Sequence, residues 1–231
     1  MIKKVYDFYN SDTMVKNSFY LTYIFLLTTA TVTFIEAMRT NVAKVRHILN
    51  LETCISVVAA YFYGNFVQEI AGEGNSIDYR QINMTRYIDW FITTPIMLLV
   101  LCLAFLYNSG GKLNFLTFLI ILAMNFSMLV SGYLGETGYI NKITGMMVGF
   151  VFFFLLYGFI YYKFLYKKPL FDNKILYWAF FTFWIMYGVV YNQPDKFKNV
   201  MFNYLDLFAK CFVGIFFWAY FTGVFTLKGG I

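Results

Sequence analysis

Charge is what this chain has least of. Only 13% of its 231 residues are Asp, Glu, Lys or Arg, against about 25% in a soluble domain. It has three prolines and no low-complexity tract, which excludes a collagen-like or disordered chain. It has three cysteines, Cys54, Cys102 and Cys211, far apart and each inside an apolar run. That spacing excludes a disulfide scaffold and reads as reduced packing residues. The lone histidine, His47, reads as an interfacial residue. What fills the chain instead is apolar: 60% hydrophobic and 23% aromatic residues, with 29 Phe and 20 Tyr, at a mean hydropathy of +0.62. There is too little polar side chain here to cover a water-facing globule. The class left is an all-α integral membrane protein, with residues 1–231 forming one domain.

A helix needs about 20 apolar residues to cross the hydrocarbon core. Seven candidate spans satisfy this, approximately 17–38, 48–68, 86–107, 113–134, 139–164, 173–193 and 200–226. The third and seventh carry charges and should be the weaker ones by hydropathy. Residues 1–16 mix Lys3, Lys4, Asp7, Asp12 and Lys16 without an apolar core, so they are expected to be an N-terminal segment and not a cleavable signal. The net charge of +6 reads as an orientation signal, with no nucleic acid partner implied. Arg39, Lys44 and Arg46 follow span 1, Lys112 follows span 3, Lys163, Lys167, Lys168 and Lys174 surround the link after span 5, and Lys228 lies in the tail. The alternate links carry Glu69, Glu73, Asp78, Glu136 and Asp195 beside Arg80, Lys142, Lys196 and Lys198. The positive-inside rule then puts the N-terminus outside and a short tail, 227–231, in the cytoplasm.

An ionisable side chain inside a bilayer costs roughly 2.5–3.5 kcal/mol on insertion scales, so each one is a functional candidate. This chain has Glu52 in span 2, Arg86 and Asp89 in span 3, and Asp206 and Lys210 in span 7. Lys210 lies about 15 Å deep at 1.5 Å per residue. Asp206 precedes it by one turn on the same face. A buried ion pair that fixes helix packing would look like this. So would a lysine made ready to form a Schiff base with an aldehyde. Span 3 adds a second carboxylate. Arg86, Asp89 and Thr93 share one face, and two carboxylates with an arginine would balance a protonated Schiff base at Lys210. Pro95 frees a backbone carbonyl in mid-span.

The stretch RYIDWFITTP from Arg86 to Pro95, with LDLFAK ending at Lys210, resembles the microbial (type 1) rhodopsins. GYLGETG at Gly132–Gly138 is similar to the end of span 4 in proteorhodopsins, and Trp184-Ile185-Met186-Tyr187 to their span 6, although Gly188 stands where that family has Pro. The resemblance covers nearly the whole chain. It implies all-trans retinal bound covalently to Lys210, Asp89 as primary proton acceptor and counterion, Asp206 as second counterion, and Arg86 as a gate outward of them. Tyr87, Trp90, Thr94, Met97, Trp184, Tyr187 and Tyr191 correspond to pocket positions. Ordinary core packing is the competing reading for these aromatics. An apolar residue at Met97 goes with green absorption. Phe62 stands where proteorhodopsins have a histidine, so no aspartate–histidine pair is expected.

The resemblance implies an ion transporter and no enzyme, but it does not choose among pump, channel and sensor. Asp89 and Thr93 argue against a chloride pump. In the pumps a donor carboxylate lies eleven residues after the acceptor; here that position is Val100. Glu52 lies eleven residues from Tyr63 on the antiparallel neighbour, so it should stand at the depth of Val100. Desolvation there favours the protonated form a donor needs. A snorkelled carboxylate near a helix start is the bland alternative. Arg46 and Glu52 have a spacing similar to a giant-virus rhodopsin lineage, which also implies a homo-oligomer, a pentamer with Arg46 near the cytoplasmic mouth of its axis. Plain positive-inside charge would equally account for Arg46. Lys198 lies where that family's bacteriorhodopsins have an acid, so an outer release pair is not evident. The leading expectation is a light-driven outward proton pump. A light-gated cation channel is the alternative, with Asn199 and Asn203 as lining residues. A sensor acting through a separate protein is the third. In every case the surrounding partner is membrane lipid.

Overall fold

The computed structural model describes residues 11–72 and 77–224. The expectations placed on residues 1–10, on Glu73 and on the tail with Lys228 lie outside the described residues. Among the described residues seven helical spans follow one another: α1 (Asp12–Arg39), α2 (Ala43–Ala71), α3 (Tyr79–Ser109), α4 (Phe115–Thr137), α5 (Lys142–Ile160, ending in a π-helical stretch Tyr161–Leu165), α6 (Phe171–Val190) and α7. The last begins as Asp195–Asp206, widens into a π-helical stretch at Leu207–Phe212 and ends as Val213–Phe221.

The boundaries have local causes. Ser11, Asp78, Asn114 and Asn141 cap the starts of α1, α3, α4 and α5 by accepting from backbone N–H groups of Met14, Gln81, Thr117 and Ile143. Because Asn114 is the cap, α4 starts two residues later than its apolar run, and the Asp78 cap starts α3 two turns earlier. Gly110 and Gly138 end α3 and α4 with φ of +74° and +83°, a conformation that favours glycine. Pro95 sits inside an unbroken α3.

The bundle buries polar side chains within its apolar core and exposes large apolar ones. Thr22, Thr29, Thr33, Asn83, Asn125, Asn199 and Asn203 are buried, while Ile24, Phe34, Met38, Met147, Phe154 and Tyr162 are exposed. Such a surface suits lipid and not water, and the protein is an integral membrane helical bundle. By length and apolarity α1, α3, α4, α5 and α7 qualify as spans. The expectation that the third and seventh would be weakest is therefore corrected. Their charges are few and gathered near one level, leaving long apolar runs. The weaker helices are α2, which spends positions on Asn50, Glu52, Ser56 and Asn65, and α6, which opens with Asp172, Asn173 and Lys174.

Both termini of the site's scaffold are tied. At the side of the bundle where α1 begins, Lys196 at the start of α7 pairs with Asp12 at 2.6 Å. At the opposite side, Tyr220 of α7 donates to Asp172 of α6 and to Asn108 of α3. The exposed Arg46 donates to the Thr40 carbonyl between α1 and α2 at 2.8 Å, and His47 is exposed beside it. Cys102 and Cys211 are buried and free, and Cys54 is exposed.

Candidate functional site

Lys210 lies in the π-helical stretch of α7, a backbone feature often found at functional sites. Its Nζ donates to Asp89 Oδ2 of α3 at 2.6 Å and stands 3.6 Å from Asp206 Oδ2 on its own helix. All three side chains are buried, Asp89 and Asp206 completely. Asp89 Oδ1 is buried without a partner.

Asp206 is held from three further helices. Tyr63 of α2 donates to its Oδ2 at 2.8 Å, Tyr187 of α6 to its Oδ1 at 2.6 Å, and Arg86 of α3 forms an ion pair at 3.4 Å. Arg86 is 1% exposed and donates to Tyr63 Oη, Asn199 Oδ1 and Asn203 Oδ1 at 2.9, 3.1 and 2.7 Å. Rings of Phe19, Tyr63, Phe66 and Phe202 surround its guanidinium at 5.3–5.8 Å. A buried guanidinium with this many acceptors and π faces is compensated for leaving water. Thr93, on the shared face, donates to the Asp89 backbone carbonyl at 2.9 Å and so bonds the helix, not the carboxylate.

A cavity with an almost wholly apolar lining ends at Lys210. Tyr87, Trp90, Thr94, Met97, Trp184, Tyr187 and Tyr191 all line it, with Asp206 at the same end. Three lining features escaped the sequence reading. Asn125 donates to Thr94 Oγ1 at 2.9 Å, fixing a hydroxyl that also donates to the Trp90 carbonyl. Tyr191 donates to the Gly132 carbonyl at 2.7 Å. Phe150 packs so closely on Gly188 that a Cβ there would stand 2.6 Å from its Cζ. The first two involve a lone Asn and a backbone carbonyl, for which no local pattern exists.

Glu52 is 2% exposed, nine residues into α2, which removes the snorkelled helix-start reading. Val100 is fully buried. The Glu52 carboxyl reaches α7: its Oε2 lies 3.1 Å from where a Cβ on Gly214 would be. Gly214 is four residues beyond Lys210. One turn along α2 from Glu52, Ser56 Oγ is buried without a partner.

On the other side of Lys210 is a second ionic cluster. Lys198, completely buried, donates to Glu136 Oε1 at 2.7 Å and pairs with Asp195 Oδ1 at 2.9 Å. Asn83 donates to the same two oxygens at 2.8 and 3.1 Å. Asn199 links Asn83 to Arg86.

A family model for bacteriorhodopsin-like proteins matches residues 14–224. Among solved structures, the chain is similar to viral rhodopsin OLPVRII, at 51% identity over 92% of this chain and 99% of that one, with a TM-score of 0.85. Acetabularia Rhodopsin I is 20% identical over 92% and 95% of the two chains, with a TM-score of 0.77. A blue light-absorbing proteorhodopsin from Med12 is 21% identical over 89% and 95%, with a TM-score of 0.73. These last two carry the likeness of fold alone. No curated protein matches the chain.

Proposed function

The chain belongs to the bacteriorhodopsin-like family, and we propose that it is a light-driven outward proton pump in which Asp89 takes the proton from the Lys210 nitrogen and Glu52 restores it. The residues fit the retinal chromophore of that family. An apolar, aromatic-walled cavity ends at Lys210, and Asp89 Oδ1 has a free acceptor position for a hydrogen bond there. All-trans retinal held at Lys210 Nζ as an imine would supply the light-driven change of shape that alters how firmly that nitrogen holds its proton.

The observation that carries the reading is that buried carboxyls stand on both sides of Lys210. Asp89 is hydrogen-bonded to Nζ toward the side where α1 begins; Glu52 lies against the next turn of α7 on the opposite side. A vectorial proton path needs an acceptor and a donor separated in this way. Asp206, fixed by Tyr63, Tyr187 and Arg86, is the second counterion. Arg86 separates the pair from the outer cluster and acts as the gate. Glu52 is buried and pairs with no cation among the described residues, and a buried charge without a partner is costly. The N-terminal side is outside, as the basic residues of the alternate links require. In this reading the chain forms a pentamer, with Arg46, exposed at the start of α2, near the cytoplasmic mouth of its axis.

The channel reading is less well supported. Asn199 and Asn203, its candidate lining residues, both accept from Arg86 and are closed by it. Glu52 is the one acid on the buried face of α2 among the described residues. The test is voltage-clamped photocurrent in cells given all-trans retinal. An outward current that keeps its sign across voltage supports the pump. A current that reverses with voltage and follows cation gradients makes Glu52 a pore residue. Absence of current with an intact visible absorbance points to a sensor.

A further inference from the structure

The outer cluster holds two carboxylates and two ammonium groups. Glu136 at the end of α4 and Asp195 at the start of α7 are joined by Lys198, and Lys142 at the start of α5 pairs with Glu136 Oε2 at 3.4 Å. Lys142 also lies over the Tyr191 ring at 5.3 Å. The neighbouring Asp12–Lys196 pair is itself neutral. The accepting oxygens that Glu136 and Asp195 turn toward each other are bonded by the same two donors, Lys198 Nζ and Asn83 Nδ2. A buried ammonium therefore stands where a proton shared between two carboxylates would be.

We propose that Lys198 fixes the order of proton movements: its ammonium, bonded to both Glu136 and Asp195, takes the place of a proton between them and leaves the outer cluster with none to release. This rests on the pump reading above. Two carboxylates close together cannot both ionise without cost, and one keeps a proton unless a cation takes its place. Here the cation is built in. When the Lys210 nitrogen gives its proton to Asp89, the positive charge of Arg86 has only neutral amides, Asn199 and Asn83, and a charge-balanced cluster outward of it. Nothing there is left to expel. The proton that leaves is the one Asp89 received, and it leaves only after the inner side has supplied its replacement through Glu52. One proton enters and one departs per cycle, with uptake first. Asp195 is 52% exposed, so the cluster is the mouth of the exit while Lys198 is its sealed inner end. Lys198 is a positioning residue: it acts through the charge of its two partners.

The test is flash photolysis of the full chain loaded with retinal, in unbuffered medium with a pH-indicator dye, beside net transport measured in oriented vesicles. The native protein should first make the medium alkaline. Lys198→Gln should invert the first dye signal, because Glu136 and Asp195 would then share a proton and give it up early. Lys198→Arg should keep the native order. Where Lys198→Gln does not form a chromophore, Asn83→Asp serves, since a third carboxylate against two cations should also store a proton and acidify first. Net outward transport with acidification first in the native protein overturns this inference alone. So does uptake first in the folded Lys198→Gln or Asn83→Asp protein. Absence of net outward transport overturns the pump reading and this inference with it.

Discussion

The Glu52 carboxyl and Gly214 are in mutual contact across two helices, with Oε2 3.1 Å from the place a Gly214 side chain would begin. Thr29 Cγ2 closes the same space at 2.9 Å. The missing side chain at Gly214 is what lets a carboxyl on α2 approach α7 one turn beyond Lys210. Gly214→Ala should push Glu52 away from that turn. Overpacking of this kind costs about 1–3 kcal/mol of stability. A transfer barrier raised by about 1.4 kcal/mol slows proton return tenfold. The decay of the blue-shifted, deprotonated state after a flash reads this directly. A decay as fast as the native one would separate the position of Glu52 from proton return.

Glu52→Gln removes the proton and keeps the shape. The photocycle should lengthen by on the order of tenfold or more, a barrier change of at least about 1.4 kcal/mol. Azide, a small diffusible acid, should restore it. If the decay does not change, Glu52 has no part in the mechanism.

Asp89→Asn removes the acceptor bonded to Lys210 Nζ at 2.6 Å and leaves Asp206 as the neighbouring carboxylate, at 3.6 Å and already bonded by Tyr63 and Tyr187. Net transport should fall to background, and the absorption band should shift to the red as a counterion charge is lost. Persistent pumping in this variant would refute the assignment of Asp89.

The helices and the inner charges were legible in the sequence because they obey strong local rules. Apolar runs of the right length give spans, and i, i+3 and i, i+4 spacing puts Arg86, Asp89 and Thr93 on one buried face. The limits are equally physical. Lys210 and Asp206 keep the i, i+4 pairing that the spacing predicts, at 3.6 Å, but the backbone around them widens into a π-helical stretch at Leu207–Phe212. Nothing in local composition announces an extra residue in a turn. The outer cluster was missed because Glu136, Asp195, Lys198 and Asn83 come from three helices. In the chain they look like ordinary loop-end charges, and only packing buries Lys198.

Gly188 stands where the span 6 pattern that the chain resembles has proline, and Phe150 packs against it. A Cβ at Gly188 would stand 2.6 and 2.8 Å from Phe150 Cζ and Cε1, too close for any real contact. Both residues line the cavity that ends at Lys210. The aromatic ring on α5 occupies the volume that a side chain on α6 would take, so a side chain at Gly188 requires the ring to shift. Gly188→Pro alone should force the Phe150 ring into the cavity and cost about 1–3 kcal/mol by overpacking, with a matching drop in chromophore yield and melting temperature. Trimming the ring in the same chain, as Gly188→Pro with Phe150→Leu, should recover most of both. The two changes are in contact, so their effects should be far from additive. Retinal titration followed by visible absorbance, with thermal melting of each variant, measures this coupling. Native yield in the single Gly188→Pro protein would mean that Phe150 has room to move, and that the glycine is not held by its neighbour.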